Sequence, residues 1–258
     1  MCCAVITKLF WKSTVFILLV TQCLFIKMPG TCKNIDTLKA EIISCRRCPR
    51  LVAWRENIAK TKRKAFAEWE YWGKPVPGFG DIKGRILILG LAPGAHGSNR
   101  TGRMFTGDAS GDFLFPALFK AGFASQPEAH SINDGLDLKG VYISAVCRCA
   151  PPDNKPTNEE ISFCQSYLMN EIELMKNLSG IVALGKIAFD SAIKLILRQS
   201  DKIPTKKPKF GHGELYFCDS INCPWLLTSY HPSRQNTQTG RLTQPMFQMI
   251  WDTVKKLT

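Results

Sequence analysis

Four stretches of the chain are apolar without interruption over the length of a strand. They are Arg85-Ile-Leu-Ile-Leu-Gly-Leu91, Val141-Tyr-Ile-Ser-Ala-Val146, Gly180-Ile-Val-Ala-Leu184 and Trp225-Leu-Leu-Thr-Ser-Tyr230. A strand with one wet face alternates apolar and polar positions. A continuous apolar run is expected where helices cover both faces, as in a parallel sheet. Helical spacing marks residues 34–61, 110–121, 157–177, 187–199 and 243–257. The third of these opens on Thr157-Asn-Glu-Glu160, a capping box. The first carries Cys45 and Cys48, which the i, i+3 separation places on one helix face. This order of elements predicts an α/β fold: a three-layer α/β/α sandwich with a central, mainly parallel four-stranded sheet. No internal repeat is present.

Composition narrows the class. The 258 residues are 45% hydrophobic and carry a net charge of +13. That apolar fraction excludes a disordered chain, and the length suits one α/β domain. A charge of +13 points to a polyanionic partner, either nucleic acid or an anionic membrane surface, with a merely soluble basic surface as the plain alternative. The basic runs at 60–64 and 202–209 read as solvated charge that is also able to touch phosphates. Residues 1–27 stand apart, with Lys8 and Lys12 ahead of an apolar run closed by Lys27. The outline is that of a signal peptide, but the run is short for a membrane span and lacks a small-residue cleavage site. Met28 offers an alternative start, so the expectation is a leader at 1–27, spurious or disordered, with a real targeting or membrane-anchor segment as the alternative, and a working domain at 28–258.

Eleven cysteines occur. Cys45-Arg-Arg-Cys48 is a C-x2-C pair, and Cys147-Arg-Cys149 and Cys164 follow later. A pair plus later cysteines is ligand arithmetic for zinc or an iron–sulfur cluster. A zinc ribbon brings a second C-x2-C, and none is present, so the pattern favours iron–sulfur. Buried free thiols are the competing explanation for any single cysteine.

Ligands of parallel sheets bind at the carboxyl ends of the strands. Three polar loops follow the predicted strands there: 90–108, rich in glycine, then 149–156, and 230–241. Neither a Walker A loop nor a G-x-G-x-x-G fingerprint fits the first. Asp108 is a lone acid in it, suited to orienting water or to capping the helix that follows. His231 at a strand end is able to stabilise a developing anion, though a surface imidazole is an equally plain reading. Asn154 can pair with an amide edge or serve a turn. Phe105 can stack on a base or pack in the core. Ser233, Arg234, Gln235 and Asn236 suit phosphate contact.

Taken together, these loops resemble one family. The C-x2-C, the Gly-Leu-Ala-Pro-Gly-Ala-His-Gly loop running on to Thr-Gly-Asp108, Ala-Pro-Pro-x-Asn-Lys-Pro-Thr and His231-Pro-Ser-Arg-Gln-Asn-Thr are similar to the iron–sulfur uracil-DNA glycosylases of the family 5 (type b) branch. The resemblance runs from about residue 35 to the C-terminus and leaves residues 1–27 outside. It implies excision of uracil, and of other deaminated bases such as hypoxanthine, from DNA after the nucleotide is flipped out. It implies one structural [4Fe–4S] cluster on Cys45, Cys48, Cys149 and Cys164, with Cys147 as an extra. It implies Asp108 orienting water, His231 holding the leaving base, Asn154 on the base edge and Phe105 stacked on it. Ala92, Pro93, Gly94, Ala95 and His96 line the pocket by the same resemblance, and Ser233, Arg234, Gln235, Asn236 and Thr237 contact DNA. The expected partner is deaminated DNA, with no stable membrane partner, for a cytoplasmic monomer. Two rivals remain from the residues alone: a non-catalytic nucleic-acid module binding metal through its cysteines, and an iron–sulfur electron carrier.

Overall fold

The computed structural model describes residues 34–199, 208–217 and 223–258. The leader at 1–27 and most of the basic run at 202–209 lie outside the described residues.

The four apolar runs are the four central strands. They are β2 (Ile86–Gly90), β3 (Val141–Ala145), β4 (Gly180–Leu184) and β6 (Trp225–Ser229), each buried along its length. They pair in parallel in the order β3-β2-β4-β6. Two further strands, β1 (Phe79–Gly80) and β5 (Leu215–Tyr216), add antiparallel edges beside β3 and β6. Among the described residues the sheet therefore has six strands, the four central ones flanked by two short edges. Two-residue strands carry no periodicity to read, which is why the pattern missed them.

Both faces are covered, as continuous apolar runs require. Ile86, Ile88, Ile143 and Val182 meet Phe115, Phe247 and Trp251 on one face. These last three come from α4 (Ala109–Ala121) and α8 (Gln244–Leu257). Leu87, Leu89, Ile181 and Leu226 meet Leu168 and Phe189 on the other, contributed by α5 (Asn158–Leu174) and α6 (Lys186–Gln199). The capping box forms as read: the Thr157 side chain accepts from Glu160 N, and the Glu160 carboxylate accepts from Thr157 N at 2.7 Å.

The region 34–61 departs from the expectation of one helix. It is two, α1 (Ile35–Ile43) and α2 (Pro49–Thr61), and Cys45 and Cys48 lie in the break rather than on a helix face. Pro49 is the cause. It starts α2 at a position that needs no N–H donor and keeps Cys48 extended, at φ −109° and ψ 93°. Two short helices, α3 (Ser98–Thr101) and α7 (Arg234–Gln238), fill loops left irregular in the sequence reading. No helix among the described residues is long and apolar enough to cross a membrane.

Candidate active site

A cavity of about 530 Å³ opens at the carboxyl ends of β2, β4 and β6. The 91–108 loop, the turn at Pro152–Asn154, the β4–α6 junction and the loop after β6 close around it.

Asp108 is the N-cap of α4. Its Oδ1 accepts from Ser110 N at 3.0 Å and Gly111 N at 3.2 Å. The capping and catalytic readings of this residue are therefore compatible, because one oxygen caps and Oδ2 is left for the cavity. Gly94 and Gly97 flank that oxygen. A Cβ on Gly94 would stand 2.7 Å from Oδ2, and one on Gly97 2.6 Å from Cγ. Burial pushes the Asp108 carboxyl above its ordinary range, against the lowering by the two backbone N–H donors.

His231, just after β6, lines the same cavity as Asp108. Burial pushes its imidazole down to about 4, so the ring is neutral at neutral pH. It stacks on Phe105 with centroids 5.9 Å apart and planes 26° apart. Phe105 itself holds φ 53°, an uncommon region for a bulky residue. Gly90 makes this possible, since a Cβ there would stand 2.7 Å from the Phe105 ring. The His231 backbone is tied from two sides. Asn236 Nδ2 donates to the His231 carbonyl at 2.9 Å, and the preceding Tyr230 N donates to His212 Nδ1 at 3.2 Å. Asn154 lies exposed on the cavity rim, and it and Asp153 both hold positive φ, at 56° and 53°. Asn and Asp tolerate that region better than other residues, and strained backbone concentrates at functional sites.

The second constellation lies where α2 meets the loop after β3. Cys48, Cys149 and Cys164 are buried and Cys45 half-buried, with Cys48 and Cys149 packed on Leu51 and Phe163. Burial pushes the Cys48 and Cys149 thiols up to about 12, with the charges of the neighbouring sulfurs adding to it. As they stand, no three Cys, His, Asp or Glu side chains among the described residues are arranged to hold a metal ion. The surroundings fit an anionic sulfur-ligated group in two respects. Arg55 is 2% exposed, its Nη1 donates to Cys149 Sγ at 2.8 Å, and its buried Nε has no partner. Arg148, between Cys147 and Cys149 in the chain and 1% exposed, likewise keeps its buried Nε and Nη1 without a partner. A buried guanidinium with an unused donor beside the Cys149 sulfur is costly unless negative charge comes to it. Cys147, fully buried, shares one apolar cluster with Cys164.

Comparison with known proteins decides the family. The family model of the uracil DNA glycosylase superfamily matches residues 77–255, which span every loop of the cavity. The chain belongs to the uracil-DNA glycosylase superfamily. It is 50% identical over 216 residues to a Type-5 uracil-DNA glycosylase of Thermus thermophilus, covering 84% of this chain and 94% of that protein. It is 48% identical over 231 residues to a Type-5 uracil-DNA glycosylase of Mycobacterium bovis, covering 89% and 84%. A Type-5 uracil-DNA glycosylase of Pyrobaculum aerophilum is 42% identical over 208 residues, covering 81% and 86%.

Within this superfamily member the sequence-derived residues divide. Ala92, Gly94, Phe105, Asp108, Asn154, His231, Ser233, Arg234 and Gln235 line the one cavity. Pro93, Ala95 and His96 do not. His96 turns away to pack on Tyr71, with 3.1 Å between its Nδ1 and the Tyr71 hydroxyl. Asn236 and Thr237 also turn inward, Asn236 to His231 and the Thr237 hydroxyl to the Ser233 carbonyl at 3.2 Å. The sequence reading missed Lys186, which stands on the rim beside Gly185. A one-residue junction between β4 and α6 leaves no polar loop to attract notice. The signal was the basic residue following Leu184-Gly185 at a strand's carboxyl end.

Proposed function

We propose that this protein excises uracil, and other deaminated bases of similar edge chemistry, from DNA by hydrolysing the N-glycosidic bond. The observation that carries the reading is the pairing of a half-engaged carboxylate, Asp108, with a neutral imidazole, His231, across one cavity.

The flipped base enters beside Phe105, with its edge towards Asn154. Neutral His231 donates an N–H to the base carbonyl oxygen on which negative charge grows as the bond lengthens. A neutral donor suits this task because it stabilises the leaving anion without first having to lose a proton to it. Asp108 Oδ2 accepts from a water on the opposite side of the sugar, and its negative charge favours the oxocarbenium-like carbon. The water oxygen forms the new bond to C1′ and the C1′–N bond breaks. The electron pair leaves with the base, and the water's proton passes to the carboxylate and on to solvent. The exposed Arg234 and Lys186 at the rim suit backbone phosphates.

Cys45, Cys48, Cys149 and Cys164 are the residues that would hold a [4Fe–4S] cluster. When bound, it supplies a structural cross-link between the break at α1–α2 and the loop and helix after β3. The DNA substrate supports action in the cytoplasm, with a monomer as the proposed working unit.

The test is incubation with a uracil-containing oligonucleotide followed by alkali. Strand scission is expected from the wild type, and Asp108→Ala and His231→Ala should both slow it severely while the protein stays brown. No scission by the wild type removes the glycosylase reading. Full activity in both variants removes the site assignment, and colourless protein containing zinc counts against the cluster.

A further inference from the structure

The loop that delivers Asp108 is held by a side chain outside the cavity. Arg100, at 4% exposure, sits in α3. Its Nε donates to the His96 carbonyl and its Nη2 to the Gly107 carbonyl, both at 2.8 Å. Those carbonyls belong to the two ends of the segment 96–107, and Gly107 immediately precedes Asp108. The guanidinium lies against two aromatic faces from the segment after α2, 3.9 Å from the Phe66 centroid and 4.1 Å from that of Trp69. Gly107 is shaped to receive it: φ is +74°, and a Cβ there would overlap Arg100 Nη2.

We propose that Arg100 is a positioning residue for excision, clamping the loop at both ends so that the Asp108 carboxylate is presented to the cavity at a fixed height. The aromatic cover keeps water from competing for the fork and keeps its charge effective. That charge matters to Asp108. Burial opposes its ionisation most, and Asp112 on the next turn of α4 opposes it further, while the Ser110 and Gly111 N–H groups and Arg100 favour it. Across the cavity the facing groups are neutral His231, with Asp153 and Lys186 on the rim. Arg100 thus adds a cation's contribution, smaller than that of the two backbone N–H donors, against the burial of the carboxylate. The inference rests on the reading of Asp108 as the water-orienting group.

The experiment is a single-turnover excision cycle on the full chain with wild type, R100A, R100K, D108A and the double variant R100A/D108A, over a range of pH. R100A should slow excision about 10- to 100-fold, the usual cost of a misplaced reacting group. Affinity for uncleavable duplex should stay unchanged. The acid limb of its pH profile should move to higher pH. R100K keeps the charge without the fork, so it should return the acid limb towards the wild type and recover only part of the rate. In the D108A background, R100A should cost nothing further, because a residue acting through Asp108 has nothing left to act on. An additive loss in the double variant, or a slower rate with an unshifted acid limb, overturns the proposal. Wild-type rates in D108A remove the Asp108 reading itself, which separates the two failures. Should R100A not fold, the test passes to R100K/D108A, where R100K should cost nothing beyond D108A and an additive loss overturns the proposal.

Discussion

Gly97 shows how tightly the site is built at the scale of one residue. It precedes α3 and its Cα faces the Asp108 carboxylate, where a Cβ would stand 2.6 Å from Cγ and 2.8 Å from Cβ of Asp108. The carboxylate cannot retreat, because Oδ1 is fixed by two backbone donors. Gly97→Ala is therefore expected to lower excision by about 10- to 100-fold through displacement of Asp108 rather than through loss of any contact. Single-turnover rates alongside a melting curve test this. A variant that melts as the wild type and excises at the wild-type rate would show that the carboxylate has room the geometry denies it. Gly111 is constrained in a different way: a Cβ there would overlap the Phe105 carbonyl, so it protects the backbone of Phe105.

At the scale of elements, the junction of α2 and α5 depends on Glu160. Arg50 Nε and Nη2 donate to its carboxylate at 2.8 and 2.6 Å, and Thr157 N does so at 2.7 Å. The Arg50 hydrogen bond holds the Glu160 carboxyl below its ordinary range. A carboxylate with a lowered folded value stabilises the protein above its unfolded value, and that contribution is lost as pH falls through the folded one. Glu160→Gln should thus reduce the melting temperature at pH 7 and flatten its dependence on pH below about 4.3, the unfolded value for Glu. Equal melting of the two proteins at pH 7 would place the stability of this junction elsewhere. This scale also shows what was legible. The four core strands were readable because burial on both faces writes continuous apolar runs, and α5 because its cap lies in four adjacent residues. The break at Cys45–Cys48 was hidden because helical apolar spacing continues across it, and Pro49 alone signals it. Asp108, His231 and Asn154 stood out as polar residues at strand ends. Arg100 did not, since nothing local in a sequence reveals a guanidinium that reaches back to the backbone of its own loop.

For the whole molecule the question is where the charge of +13 acts. The leader contributes only Lys8, Lys12 and Lys27 to it, so most of it belongs to the body that carries the cavity. Each phosphate neutralised on B-DNA steepens the fall of log affinity with log salt by about 0.9. Lys186 and Arg234 stand on the cavity rim, where the backbone flanking a flipped nucleotide would pass. Lys186 is held by Asp190 at 2.5 Å, but both side chains are largely exposed, so the pair costs little to open. Lys186→Gln and Arg234→Gln should each lower the magnitude of the salt slope by about 1, as expected for a phosphate contact, and weaken binding evenly across sequences. Asp108→Asn should leave the slope as it is, because in the proposed reaction that carboxylate meets the sugar and water rather than a phosphate. Titration of each variant with uncleavable duplex at several salt concentrations reads this directly. If neither rim substitution moves the slope, the charge engages DNA away from the cavity, and the strand must then approach from a face other than the one on which the three polar loops converge.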